Sequence, residues 1–371
     1  YNIMYNNKKT LKNKSYSPTI NKYLNVKSIK TYKKNKLNLC NNLLKIKLNI
    51  NNKVLCLNYN NKEVISFLLN NLKHSKKMDS SKFIAPKQIV ANCWFNTMYV
   101  TFFFSDKGRK FFRFFRELMI KGEKVDGTKI ESLKLRELFF ILNLYIEASY
   151  NQSSYKKDDK YSLYNQVKKL TNNLDTNYYI KEIYNIINNS KRYRKLYNLY
   201  NIYDSGNPLV YYNTLLNYLN YNILKILNIN LNNNTNVENN LNYNFIKNSI
   251  IPHLIIIEDS IQENTKNNTK YEKSYSFTIK DKNYKYVLDS IIITNKTFFK
   301  PKTNKHFVSL LTINGEEYKF DGDSYSRLTE FKWKNLININ KDWTFLENPK
   351  YYPEKYNFTY GYKIMFYYRS K

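Results

Sequence analysis

The sequence predicts an α+β protein, a helical layer packed on an antiparallel sheet, on three observations. In segments between Glu63 and Leu227 the apolar residues recur at three- and four-residue spacing, the period of a helix. From Ile250 onward they gather into short runs of strand length. The pair Asn314-Gly315 then falls between two such runs, a strong two-residue hairpin signal.

In chain order, residues 1–50 are rich in Asn and Lys, hold no acid and no Arg, and read as a basic, partly disordered arm. Residues 51–83 form a lead-in. Lys53–Asn58 pairs back on Leu44–Ile50 across an Asn51-Asn52 turn, and Glu63–Lys73 is a helix burying Val64, Phe67, Leu68 and Leu72. Residues 84–371 form the main domain. It opens on Gln88-Ile-Val-Ala-Asn-Cys-Trp-Phe-Asn96, and the apolar run Thr97–Phe104 carries a helix away from Cys93. A second aromatic helix spans Phe111–Ile120, where Arg109, Arg113 and Arg116 share one face, either a groove for an acidic partner or a solvated face opposite a Phe core. Lys129–Tyr150 is a third, with Leu133, Leu138, Ile141, Leu142 and Tyr145 expected inside. Residues 155–247 read as a helical, Asn/Tyr-rich insertion, with helices at Tyr178–Ile187 and Leu215–Leu227, a low-complexity loop at Asn228–Asn242, and a surface cluster at Arg192–Lys195. Strands follow at Ile250–Glu258, Lys273–Ile279, Tyr284–Thr294, His306–Ile313, Glu317–Phe320 and Tyr362–Tyr368.

The chemistry concentrates at two places. Cys93 falls in the first turn of a buried helix, where backbone N–H groups are free and the helix dipole favours a thiolate or an oxyanion. An amide just before it, Gln88 or alternatively Asn92, supplies a second oxyanion donor. Trp94 shields such a site and Asn96 caps or packs the helix. Of the three histidines, His74 lies among lysines and His253 starts a strand beside Pro252, both structural readings. His306 begins the first strand of the Asn314-Gly315 hairpin and Asp321 ends the second, so the hairpin brings carboxylate and imidazole side by side. Asp323 also follows Phe320 and stays an alternative. Nucleophile, base and orienter are then Cys93, His306 and Asp321.

These residues carry a resemblance. Cys93-Trp-Phe-Asn-Thr97 resembles the Cys box of papain-fold ubiquitin-specific proteases, and His306-Phe307 with Tyr318-Lys-Phe-Asp321 resembles their His box. Tyr286–Thr294 and Gly361–Arg369 are similar to the strands that precede the His box and close the fold. Cys93–Arg116 also looks like cysteine-peptidase-like proteins of nucleocytoplasmic large DNA viruses. The resemblance covers roughly residues 84–120 and 250–371, and the family's zinc-binding Cys pairs are absent. It implies a papain-like fold, a deubiquitinase-like thiol peptidase or isopeptidase, and a ubiquitin-like or viral precursor substrate. The alternative it implies is an inactive virion protein that keeps the fold and whose basic arm contacts capsid or nucleic acid.

Composition bounds the rest. The net charge of +32 accompanies many Lys, Asn, Ile and Tyr residues but only 7 Gly and 7 Pro, a bias that AT-rich codons produce without selection for nucleic acid. It still predicts nonspecific adhesion to nucleic acid at low salt. Three cysteines leave no even disulfide framework and no CxxC, so the expectation is a reduced compartment, host cytoplasm or virion rather than secretion, with Cys40 and Cys56 as small buried hydrophobes and no metal. No run approaches the roughly 18 apolar residues that span a membrane, and no signal peptide is visible. GxGxxG, GxxxxGK[ST] and HExxH are all absent, so no cofactor is expected.

Overall fold

The computed structural model describes residues 37–73, 78, 80, 83, 86–151, 175–189, 208–221, 224–231, 236–248, 251–261, 269–279, 281–295, 306–324, 327–345 and 354–370. His74, Arg192–Lys195 and residues 1–36 lie outside them. The first element is a hairpin of β1 (Lys45–Ile50) and β2 (Lys53–Asn58) that turns at Asn51 and Asn52, both with positive φ. Asparagine takes that backbone more readily than any residue but glycine. The expected pairing of Leu44–Ile50 with Lys53–Asn58 is present, and the described chain before it, from residue 37, packs with the hairpin. Leu37, Leu39 and Ile46 are buried, and β1 is half of the hairpin.

A disulfide joins Cys40 to Cys56. This corrects the expectation of buried, unpaired thiols. An isolated bridge between Leu39 and Ile46 holds the chain before β1 against that strand, and β2 lies on its other side, with Lys47 opposite Cys56. An odd cysteine count excludes full pairing but not one pair plus a free thiol, which is Cys93.

The helical layer follows. In α1 (Lys62–Leu72), Asn61 accepts a hydrogen bond from the Glu63 N–H at 2.8 Å, while Val64, Leu68 and Leu72 are buried. Next comes α2 (Cys93–Phe104), every residue of which is buried. A helix apolar all round belongs at the centre of a protein, and each large side chain it removes from water contributes on the order of 2 kcal/mol. Short α3 (Gly108–Phe111) and α4 (Arg113–Lys121) continue the chain, and α5 (Leu133–Asn151), α6 (Asn177–Asn189) and α7 (Pro208–Tyr218) complete the layer.

Neither reading of the arginine stripe holds. Arg116 is buried and donates to Asn143 Oδ1 at 2.9 Å and Glu147 Oε2 at 2.8 Å, both on α5. Arg113 is buried too, and Arg109 pairs with Asp106 at 3.0 Å. The face points into the helical layer because α5 carries the acid and amide that compensate the guanidinium there. The inward face of α5 is also rotated from expectation: Leu133 is 54% exposed, whereas Leu135, Phe139, Phe140 and Ile146 join Leu142 and Tyr145 inside.

The insertion departs further. The helix expected at Leu215–Leu227 ends at Tyr218, and Ile226–Leu231 is a strand, β3. The low-complexity tract continues into a helix, α8 (Val237–Asn248). In Ile226-Leu-Asn-Ile-Asn-Leu231 the alternation toward its end is a strand's period, which the surrounding asparagines obscure.

The sheet comprises β3, β4 (Leu254–Ile261), β5 (Ser274–Ile279), β6 (Lys282–Thr294), β7 (Phe307–Ile313), β8 (Glu316–Phe320), β9 (Leu328–Glu330) and β10 (Gly361–Arg369). Its order is β3-β4-β10-β6-β7-β8-β9, with β5 also on β6. Every pair is antiparallel except β3 with β4, which run parallel, so the sheet is mixed rather than purely antiparallel. Alternate residues serve two cores. Ile256, Ile292 and Leu311 face the helical layer, while Ile257, Ile291 and Ile293 pack with Phe245, Trp333 and Trp343 on the other side. None of the described helices is long and apolar enough to cross a membrane.

Candidate active site

The hairpin of β7 and β8 turns at Asn314 and Gly315, with φ of 55° and 88°. Only glycine accepts the second of these without strain. Asp106 receives the N–H groups of both turn residues, at 2.9 and 2.8 Å, which fixes the turn against the end of α2. At the hairpin's open end His306 immediately precedes β7 and Asp321 immediately follows β8. Asn295 at the end of β6 brackets the His306 backbone, donating its N–H to the His306 carbonyl at 3.1 Å and accepting the His306 N–H on its side chain at 3.4 Å.

His306 Nε2 lies 2.8 Å from Asp321 Oδ1. The Cys93 sulfur is near enough to the same ring to favour its protonated form. One ring nitrogen serves one in-plane partner, so Nδ1 is left for the sulfur. Burial works against a charge on this ring, yet its hydrogen bond to Asp321 and the nearby Cys93 sulfur, with the field of both, hold its pKa well above the usual imidazole value. The three groups are largely sealed, at 4% exposure for Cys93, 9% for His306 and 7% for Asp321.

Asp323 is not the partner. Continued by three residues, the pairing of Ser309 with Phe320 would set Asp323 opposite His306. The strand ends instead at Phe320, and the Asp323 N–H turns back onto Asp321 Oδ1 at 2.9 Å. That bond leaves Asp321 facing the ring and holds its carboxylate there.

On the helical side, Gln88 lies in the loop before α2 and donates its backbone N–H to the Gly322 carbonyl at 2.9 Å. Its side-chain Oε1 is buried without a hydrogen-bond partner among the described residues. Asn92 is engaged at both ends: its Oδ1 accepts the Ile89 N–H at 3.3 Å and its Nδ2 donates to Thr176 Oγ1 at 2.8 Å. Asn96 donates to the Lys87 carbonyl at 3.3 Å and accepts from Thr176 Oγ1 at 2.7 Å. Trp94, expected to shield the site, is fully buried with its ring edge-on to Tyr211 of α7, so it anchors the helix.

Two residues escaped the sequence reading. Thr176 sits just before α6, 80 residues from Asn96, in a stretch whose composition hides it. Gly322 carries a signal that was readable, a glycine between two aspartates directly after the hairpin. A Cβ there would come within 3.2 Å of Gln88 N and 3.3 Å of the Pro86 carbonyl. A side chain there would crowd the place where the loop after β8 meets the loop before α2. Among the described residues no three His, Cys, Asp or Glu side chains gather as a metal site.

No family model matches this sequence. No curated protein matches it significantly. Among solved structures, the SAGA Ubp8/Sgf11/Sus1/Sgf73 DUB module bound to ubiquitin aldehyde is similar at 8% identity and a TM-score of 0.42, over 88% of this chain and 81% of that one. A yeast SAGA DUB module with a mutant Sgf73 is similar at 7% identity and a TM-score of 0.39, over 80% and 69%. Another structure of the Ubp8 module matches over only 24% of its own length, with a TM-score of 0.21 and 12% identity. Likenesses of this size decide nothing about the chemistry, which rests on the geometry above.

Proposed function

We propose that the protein is a thiol peptidase or isopeptidase with a papain-like, ubiquitin-specific-protease-like site, acting on a ubiquitin-like protein. The single observation that carries this reading is the histidine ring held at 2.8 Å by a buried carboxylate, with the free cysteine near enough to favour the ring's proton. Three residues separated by up to 228 positions meet in the order nucleophile, base, orienter.

In the reaction His306 takes the Cys93 proton and the sulfur attacks the carbonyl carbon of a peptide or isopeptide bond. The oxyanion rests on backbone N–H groups at the start of α2 and on the Gln88 side-chain amide, whose donor end is Nε2. Asn92 is the poorer donor, because one of its amide hydrogens and its carbonyl oxygen are already held by Thr176 and the Ile89 N–H. His306 then gives its proton to the leaving amine, and water releases the acyl group from sulfur. Asp321 fixes the ring orientation throughout.

A ubiquitin bearing a carboxy-terminal propargylamide tests this directly. The expected result is a covalent adduct on Cys93, absent in Cys93→Ala and strongly slowed in His306→Ala. A thiol that iodoacetamide alkylates at the same rate with and without His306 would sink the thiol-hydrolase reading. Normal His306-dependent alkylation with no ubiquitin adduct would remove ubiquitin as the substrate and leave the chemistry standing.

A further inference from the structure

Thr176 is fully buried, and its hydroxyl is spent on two asparagines of the segment that presents the nucleophile. Asn92 immediately precedes Cys93, and Asn96 lies three residues beyond it. Asn92 grips the Ile89 N–H, and Asn96 grips the Lys87 carbonyl. Five groups thus form one chain: Lys87 carbonyl, Asn96, Thr176, Asn92, Ile89 N–H. The chain closes around Gln88 from both sides, and the α2 cap, Asn92, makes no side-chain capping bond of its own.

A buried hydroxyl used as donor and acceptor at once selects one orientation for each amide, because reversing either would set like against like. The consequence falls on the loop over residues 87–92 rather than on the imidazole. None of the five groups hydrogen-bonds His306 or Asp321. What the chain orients is the Gln88 amide and the first N–H groups of α2, the donors that an oxyanion needs.

We infer that Thr176 is a positioning residue for the oxyanion donors, acting through Asn92 and Asn96. This rests on the thiol-hydrolase reading above and adds a residue from the insertion to it. Thr176 touches no substrate. Its hydroxyl decides where the loop holds Gln88.

Two small reagents separate this role from mere support of the fold. With p-nitrophenyl acetate the Cys93 proton passes to His306, a C–S bond forms and p-nitrophenolate leaves with the C–O electron pair, through a tetrahedral oxyanion. Iodoacetamide forms its C–S bond by direct displacement of iodide, with no oxyanion. Thr176→Val should therefore slow acylation of Cys93 by about 10- to 100-fold, the scale of an ångström-sized misplacement, while alkylation stays within about twofold. Thr176→Ser keeps the hydroxyl and should restore acylation. Asn96→Leu removes the acceptor of the Thr176 hydroxyl and the donor to the Lys87 carbonyl without adding charge, and it carries the same test if the valine variant does not fold. Equal losses with both reagents, or no loss with either, would overturn the inference. So would failure of Thr176→Ser to restore acylation. Wild-type acylation that persists in Cys93→Ala would overturn the thiol site and this inference together, and is recognisable as that failure because it needs no Thr176 variant.

Discussion

Two histidines occupy the same local position, each immediately before a strand of one sheet, and their surroundings give them opposite chemistry. His306 precedes β7 and meets a carboxylate and a thiol. His253 precedes β4, where burial, then Arg369 and Lys225, disfavour a proton and lower its pKa to about 4. Its Nδ1 accepts the Lys225 N–H at 3.4 Å, and its backbone pairs with Lys225 and Arg369. One imidazole is built to hold a proton and the other to refuse it. The difference lies in the neighbouring strand ends. Asp321 immediately follows β8 beside His306, whereas Arg369 ends β10 beside His253.

The strongest way to break this comparison is deletion. His306→Ala should slow Cys93 acylation by about 10²–10⁴-fold, the usual contribution of a general base, while His253→Asn leaves it within about twofold. Comparable losses in the two variants would show that the effect comes through folding and not through the ring. A smaller effect should follow from the residue that holds the His306 backbone. Asn295→Ala removes a buried acceptor from the His306 N–H, so we expect a loss of about 1–2 kcal/mol in urea unfolding and slower acylation. Full activity at reduced stability would place Asn295 in the fold alone.

The smallest effect is a pH signature, and its sign differs between the two rings. For His306 the folded pKa is raised, so its stabilising contribution is complete below the unfolded value of about 6.5 and is lost as pH rises through the folded value. For His253 the folded pKa is depressed, so stability present above about 6.5 is lost as pH falls toward 4. Urea midpoints against pH should flatten on the alkaline side in His306→Ala and on the acid side in His253→Asn. Flattening on the same side in both would refute the assignment of opposite environments.

The hairpins, α1, the Cys helix and most of the β-strands were legible because each carries a local signature. Asn51-Asn52 and Asn314-Gly315 name their own turns, and the run after Cys93 has no polar face to mislead. Asp321 and Asp323 both follow Phe320 in sequence, and only the fold distinguishes them, with Asp321 on the ring and the Asp323 N–H bonded back to it. Arg116 misled because helical spacing gives a face without saying what lies opposite; Glu147 supplies the answer 31 residues away. Tyr/Asn-rich composition hid β3, α8 and Thr176. Asparagine side chains suit loops, caps and buried clamps alike, so their frequency predicts none of these.

The placement of β10 bears on how the molecule is built. It is the strand that joins β4 to β6, and among the described strands nothing else connects β3 and β4 to the rest of the sheet. Until β10 pairs, β4 and β6 lack the strand that lies between them, and one of the edges left without it is the run Leu254-Ile-Ile-Ile257. Such an edge is a template for any passing strand, which makes the interval before residues 361–369 emerge the period of greatest aggregation risk. Holding nascent chains at that length, with and without a chaperone that binds extended apolar segments, would expose a vulnerability that the finished sheet conceals.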